Sequence, residues 1–356
     1  MNTTQIRTNY KRFKWWQKFL IVAFPVLPWL VMALLNYFTP VDESSVEQKV
    51  TLRIPQGATL SQIGDSLLAH DLIKNKKLFT YFVKYLGYEK KLRAGVFAVP
   101  GNLNHYQMVE YLIGARAERY KITLLEGWSL KEIAAYIGKK PGLSAERFLE
   151  LAHDPAFIKS LGLDVPALEG YLLPETYFLE YNIREEQLLK ILVGKCLEIF
   201  KSDSARRAMI NIGLNRHQVL TLASIVEGEA LLDAERPIIA SLYLNRLKRH
   251  MRLQADPTIQ YIKEGPPGRL LFKDLEIESP YNTYLHYGLP PGPINNPGKK
   301  SILAVLFPEK TNYLYMVAVG DGSHTFTTRL KDHLKAKAQF DRVRRIVKRK
   351  QRNNQK

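Results

Sequence analysis

The chain has 356 residues, with 52 Lys plus Arg against 34 Asp plus Glu, a formal charge of +18, and one cysteine. That length supports a sizeable core and about two domains; the charge asks for an anionic partner; a single cysteine excludes an internal disulfide framework. No two of the eight histidines have metal-ligand spacing, and no P-loop or dinucleotide fingerprint is present, so neither metal nor cofactor is indicated.

Residues 1–18 are polar and basic (Arg7, Lys11, Arg12, Lys14, Lys18) without an acid. The apolar run 19–38 that follows is long enough to span a bilayer. Pro25 and Pro28 would kink it, which membrane helices tolerate. Trp15, Trp16 and Tyr37 stand at the interfaces, and Asp42, Glu43 and Glu47 come after it. The expectation is an uncleaved anchor with residues 1–18 in the cytoplasm and the remainder outside. That location sets the basic bulk across the membrane from DNA and RNA, so nucleic acid is not an expected partner.

From Val50 an extended stretch, a Pro-x-Gly turn and a capped amphipathic helix are predicted, with Thr59 as cap and Ile63, Leu67 and Leu68 inward. The pattern recurs at Ile122: one offset takes Gly57 to Gly127, Thr59 to Ser129, Leu60 to Leu130 and Ile63 to Ile133. Between the copies, 92–100 reads as a strand and 105–114 as a short helix. A small strand-turn-helix module with a basic surface, residues 48–115, is similar to LysM-type glycan binders; a plain spacer domain is the alternative.

Residues 144–163 are predicted helical. The segment 168–179 carries Glu169, Glu175, Tyr171 and Tyr177, whose tyrosines belong to a groove or to the core. Residues 185–201 form an amphipathic helix, and Cys196 within it reads as core packing. From Val219 to Val226 the only polar groups are Thr221 and Ser224, so this helix should be buried, with Glu227 at its end. A buried carboxylate is paired, kept neutral, or used in chemistry; the pairing alternative is an ion pair with Arg236 or Arg246. Downstream lie Gln254, Asp256, Thr258, Tyr261, Tyr281, Asn282, Tyr284 and His324 among Pro and Gly, with 254–258 read as a loop. Amides, hydroxyls and tyrosine rings beside an acid suit a carbohydrate groove, to which Glu175 and Thr328 are added as candidates. Residues 301–307 make a helical turn, 311–319 and 324–328 strands, and 341–356 a basic tail. The whole is an α+β protein.

The stretches LEGYLLPETY, LASIVEGEA, NRLKRHMRLQADPTIQY, YNTYLHYGLPPGPINNPG and GSHTFTT resemble the YceG-like family, the endolytic murein transglycosylases, from about Val50 to Phe340. The resemblance implies a membrane-anchored lyase acting on peptidoglycan strands, with residues 116–340 as the catalytic domain. It also implies Glu227 as the catalytic residue and peptidoglycan synthases as possible partners. The family often carries Lys between the two acids; this chain has Gly228, and a helix that loosens there is expected.

Glu227 and Glu229 make a poor dyad, because residues two apart on a helix do not face each other. A lyase has less need of one. The muramic 6-hydroxyl closes onto the anomeric carbon and no water attacks, so one group can protonate the leaving oxygen and then accept the hydroxyl proton. An apolar site that lifts its pKa would favour such a group. Rival readings are a hydrolytic muramidase and a non-catalytic wall-binding scaffold.

Overall fold

The structure is a computed structural model describing Val31 and residues 49–353, apart from Gln56, Arg93, Ala115, Arg116, Glu264, Pro266 and Pro267; beyond Phe340 the only side chain described is Arg342. The apolar run 19–38 lies, Val31 apart, outside the described residues. Among those described, no helix is long and apolar enough to cross a membrane. The chain divides into two units: residues up to Tyr120 with Phe178–Asn182, and Lys121–Tyr177 with Ile183 onward. The sheets are small and two-stranded amid many helices, an α+β architecture.

In the first unit β1 (Lys49–Ile54) pairs antiparallel with β2 (Gly95–Pro100), Leu52 opposite Phe97. Helices α1 (Leu60–Ala69), α2 (Lys76–Tyr85) and α3 (His105–Gly114) complete it. Its core joins Leu52, Ile63, Leu67, Phe79, Val83, Phe97 and Leu112, all buried. Thr59 caps α1 in a reciprocal box with Gln62. Leu68 departs from expectation: it is 42% exposed. The buried stripe of α1 runs through Ile63, Gly64 and Leu67, where Gly64 admits Lys76 and Thr80 of α2, and Leu68 is turned off that stripe.

β3 (Arg119–Thr123) and β4 (Thr176–Glu180) form a second two-stranded sheet. In the second unit, Ser129 and Glu132 box the start of α4 (Leu130–Ile137) as Thr59 and Gln62 do for α1. The cap dihedrals nearly coincide (φ −72°, ψ 157° and φ −72°, ψ 161°), and Gly57 and Gly127 both have φ +78°. The sequence repeat is therefore a repeat of backbone conformation, with glycine where the turn needs a left-handed residue.

The single helix expected over 144–163 is two, α5 (Ala145–His153) and α6 (Pro155–Ser160). Pro155 cannot continue a helix, and Asp154 ends the first and caps the second through the Ala156 N–H at 2.9 Å. Next come α7 (Glu185–Glu198) and α8 (Asp203–Ile212), then α9 (Arg216–Glu229), boxed by Asn215 and Gln218. Every residue of α9 from Val219 to Val226 is buried, as its all-round apolar pattern requires. It lies against α10 (Arg236–Lys248), α11 (Asp256–Ile262) and α12 (Lys299–Leu306). A hairpin of β5 (Tyr315–Ala318) and β6 (His324–Thr327) precedes α13 (Leu330–Asn353), so the basic tail is helical as far as Asn353.

Two expectations fail on α9 and α11. The helix does not loosen at Gly228 but runs through it to Glu229. A Cβ on Gly228 would sit 2.6 Å from Pro257 Cβ, so glycine is what lets α11 approach. Residues 256–258 are the first turn of α11, not a loop. Cys196 is buried, its thiol pushed up to about 12 by burial, as a core residue should be.

Candidate active site

Glu227 stands in the last turn of α9 with its side chain 6% exposed. Its Oε1 accepts from Arg236 Nη1 at 2.9 Å; its Oε2 accepts from the Gly298 N–H at 2.9 Å and Ser301 Oγ at 2.8 Å. The two donors on Oε2 come from the start of α12, whose positive dipole end faces the carboxylate. The buried ion pair considered from sequence exists, and its partner is Arg236. Arg246 is spent on the Leu253 and Leu314 carbonyls. The expected apolar surround of the carboxyl is thus corrected: the helix behind Glu227 is apolar, but the carboxylate itself faces a polar cluster.

A second carboxylate belongs to that cluster. Glu126 lies 3.9 Å from Arg236 Nη2, at 43% side-chain exposure. A Cβ on Gly298 would strike its carboxyl, and one on Gly127 would meet Glu227 Cγ at 3.7 Å. Burial first, and then the charge of Glu227, raise the pKa of Glu126. Asp233 completes the surround, bonding Arg236 Nε at 3.0 Å and Lys300.

Beside this cluster a cleft of about 1110 Å³ is lined by Gly127, Glu169, His217, Gly228, Glu229, Asp256, Gln260, Tyr261, Tyr281 and Asn295, among others. The Tyr261 and Tyr281 rings meet at 5.1 Å and present an aromatic wall. Glu229 accepts from the Tyr243 hydroxyl at 2.8 Å, and burial pushes it up to about 7. Glu169 is also pushed up to about 7 by burial; it holds the Leu130 N–H and Asn296 Nδ2. His217 Nε2 is 2.9 Å from the Pro291 carbonyl, so it carries the proton there, and Nδ1 accepts from the Tyr171 hydroxyl at 3.0 Å.

Of the residues expected at the site, Asp256, Tyr261 and Tyr281 line the cleft. Tyr284 is bound to Asp256 through its hydroxyl at 2.5 Å. Thr258 and Asn282 are fully buried and already satisfied: Thr258 by the Ala255 carbonyl and Thr283, Asn282 by the Leu275 and Ile277 carbonyls and the Tyr284 N–H. They hold loops together and offer nothing to a ligand. Gln254 is exposed in a left-handed conformation (φ +47°) and does not line the cleft. Glu175 and Thr328 are exposed elsewhere. His324 is held by Glu235 at 2.7 Å. Tyr171 and Tyr177 are core tyrosines, the latter bonded to the Leu173 carbonyl at 2.6 Å.

Glu126, His217 and Asn295 are not among the residues expected from sequence, and Glu169 is expected only as a flank of the 168–179 segment. A signal existed: Glu126-Gly127, Glu169-Gly170 and Glu227-Gly228 are three of the four Glu-Gly pairs in the sequence. The first two are knit to one strand-like loop through Asn296, whose carbonyl accepts from the Gly127 N–H and whose Oδ1 accepts from the Gly170 N–H.

Known proteins resemble this chain closely. A model of the YceG-like family matches residues 52–339. The endolytic murein transglycosylase of Bacillus subtilis (strain 168) is 37% identical over 320 residues, covering 85% of this chain and 87% of that protein. That of Streptococcus pneumoniae (strain ATCC BAA-255 / R6) is 29% identical over 335 residues, covering 84% of this chain and 59% of the longer relative. A crystal structure of a yceG-like protein from Listeria monocytogenes aligns with TM-score 0.56 and 34% identity, covering 81% of this chain and 99% of that one.

Proposed function

This chain belongs to the YceG-like family, and we propose that it is an endolytic murein transglycosylase cutting peptidoglycan strands between the muramic acid and glucosamine sugars. Its relatives' names support the activity. The observation that carries the chemistry is the Glu227 carboxylate, bound by Arg236, Gly298 and Ser301 with the Glu126 carboxyl beside it. Glu227 is the catalytic residue. Burial and the charge of Glu227 raise the pKa of Glu126 while Arg236 lowers it, and the proton the reaction needs is assigned to this pair of carboxyls.

In the reaction the bond from the muramic C1 to the leaving oxygen breaks, and that oxygen takes a proton from the Glu126–Glu227 pair. The muramic 6-hydroxyl then bonds to C1 and returns its proton to the pair, leaving a 1,6-anhydro end and consuming no water. Tyr261 and Tyr281 receive sugar faces, while Asp256 takes hydroxyls. The run 19–38 anchors the enzyme in the cell membrane with its N-terminus cytoplasmic; residues 48–115 are a LysM-like glycan-binding module, and 116–340 the catalytic domain. Peptidoglycan synthases are fitting partners for a lyase that ends nascent strands.

One observation favours a second assignment within this reading. Glu229 lines the cleft and sits near 7, the range of a general acid. Turnover of glycan strands by Glu227→Gln, Glu126→Gln and Glu229→Gln separates the two. Loss in the first two, with Glu229→Gln within a few-fold of wild type, supports the Glu227 cluster; the reverse order moves the acid to Glu229.

A further inference from the structure

We propose that the outer face of α2 in the first unit is a docking surface for an anionic lipid membrane. The helix buries Phe79 and Val83 against the core of its unit. Counting from Lys77, positions i+4, i+7 and i+8 are Tyr81, Lys84 and Tyr85, which on a helix form one stripe. Tyr81 is 65% and Tyr85 76% exposed, with their rings stacked at 6.4 Å. Two large rings with polar tips, alternating with two lysines on the water side of a short helix, match the composition of a membrane interface.

The charge around the stripe is mainly positive. Lys74, Lys90 and Lys91 flank it, and Glu89 is the one acid from 74 to 91; it lies 4.0 Å from Lys84. Lys76 faces Asp65 at 2.6 Å and lies off the stripe. A headgroup layer supplies phosphates across the whole span of these lysines, whereas a single glycan strand would meet the two rings alone. The tether also favours lipid. Ten residues, 39–48, separate the apolar run from β1, and fully extended they reach ~35 Å at most. If the run is the anchor, a premise taken from the proposal above, the face is held at high local concentration beside the bilayer and weak attraction suffices.

The test uses the full chain reconstituted in vesicles of phosphatidylcholine alone or with phosphatidylglycerol, read by amide hydrogen exchange over residues 77–86. The expected result is several-fold slower exchange in the anionic vesicles. That slowing should be lost at high salt, in Lys77→Glu/Lys84→Glu, and in Tyr81→Ser/Tyr85→Ser. Equal exchange in both lipids, or slowing that appears only when purified glycan strands are added, overturns the proposal. If a high-salt wash strips the chain from vesicles, the anchor has failed separately. Low-salt sedimentation then reads the surface: binding to anionic vesicles that Lys77→Glu/Lys84→Glu abolishes supports it, and equal binding to both lipids overturns it.

Discussion

Glu227 is a carboxylate in a dense polar cluster, and this changes what its removal should do. Glu227→Gln leaves the side chain of Arg236, only 7% exposed, with Asp233 and Glu126 as its remaining anions. Breaking a buried pair from one side can cost about 3–5 kcal/mol, and those two anions should hold the loss to the lower part of that range. Loss of the catalytic group should lower turnover by at least about 10²-fold, measured at a temperature where thermal melts show both proteins folded. Glu229 carries a different signature. Burial raises its pKa from 4.5 to about 7 in the folded state, so the folded protein keeps a proton that the unfolded chain has shed. Its contribution is fully present below the unfolded value and is lost as pH rises through about 7, at ~1.4 kcal/mol per pH unit where the slope is steepest. Denaturant titrations across that window should show wild type losing stability with rising pH and Glu229→Gln losing less; parallel curves would contradict this account of Glu229.

At the scale of elements, Gly228 and the two capped turns give the clearest tests. Gly228→Ala puts a methyl 2.6 Å from Pro257 Cβ. Although alanine is the better helix former by about 1 kcal/mol, overpacking of this kind costs about 1–3 kcal/mol. The net change in denaturation midpoint should therefore be a loss; a gain would mean that α11 shifts freely. Ser129→Ala and Thr59→Ala remove equivalent caps, and each should cost about 1 kcal/mol. These helices were legible because caps, turn glycines and apolar periodicity are local signals. The buried helix α9 and the 105–114 helix were legible for the same reason. The split at Pro155, the exposure of Leu68 and the start of α11 were less so. Two of these depend on what a neighbouring helix does; the third is local, because Pro155 cannot continue a helix. The site was harder still. Thr258 and Asn282 look like ligand residues in sequence, but their polar atoms are consumed by loops that only the folded chain brings together. Glu126 lies far from Glu227 in sequence, and no periodicity links them; the fold does, through Arg236 and Gly298.

For the molecule as a whole, the claim is an enzyme whose cleft and carboxylate cluster are built by the second unit and whose apolar run 19–38 ties it to a membrane. Externally added protease acting on spheroplasts should digest the large C-terminal part, and the surviving fragment should retain residues 1–38; full protection, or a mature chain beginning near Thr39, would remove the anchor. The central claim is the reaction itself, a lyase step run by the Glu227 cluster with no water consumed. It is tested most directly by mass spectrometry of the products when purified wild-type protein, Glu227→Gln and Glu229→Gln digest uncrosslinked glycan strands. The expected result for wild type is internal cleavage leaving 1,6-anhydromuramic ends, lighter than hydrolysed ends by the mass of one water, with Glu227→Gln giving almost none and Glu229→Gln most of the product. Reducing ends from wild type would make the protein a hydrolase, intact strands would make it a binder, and abundant anhydro ends from Glu227→Gln would place the acid on another residue.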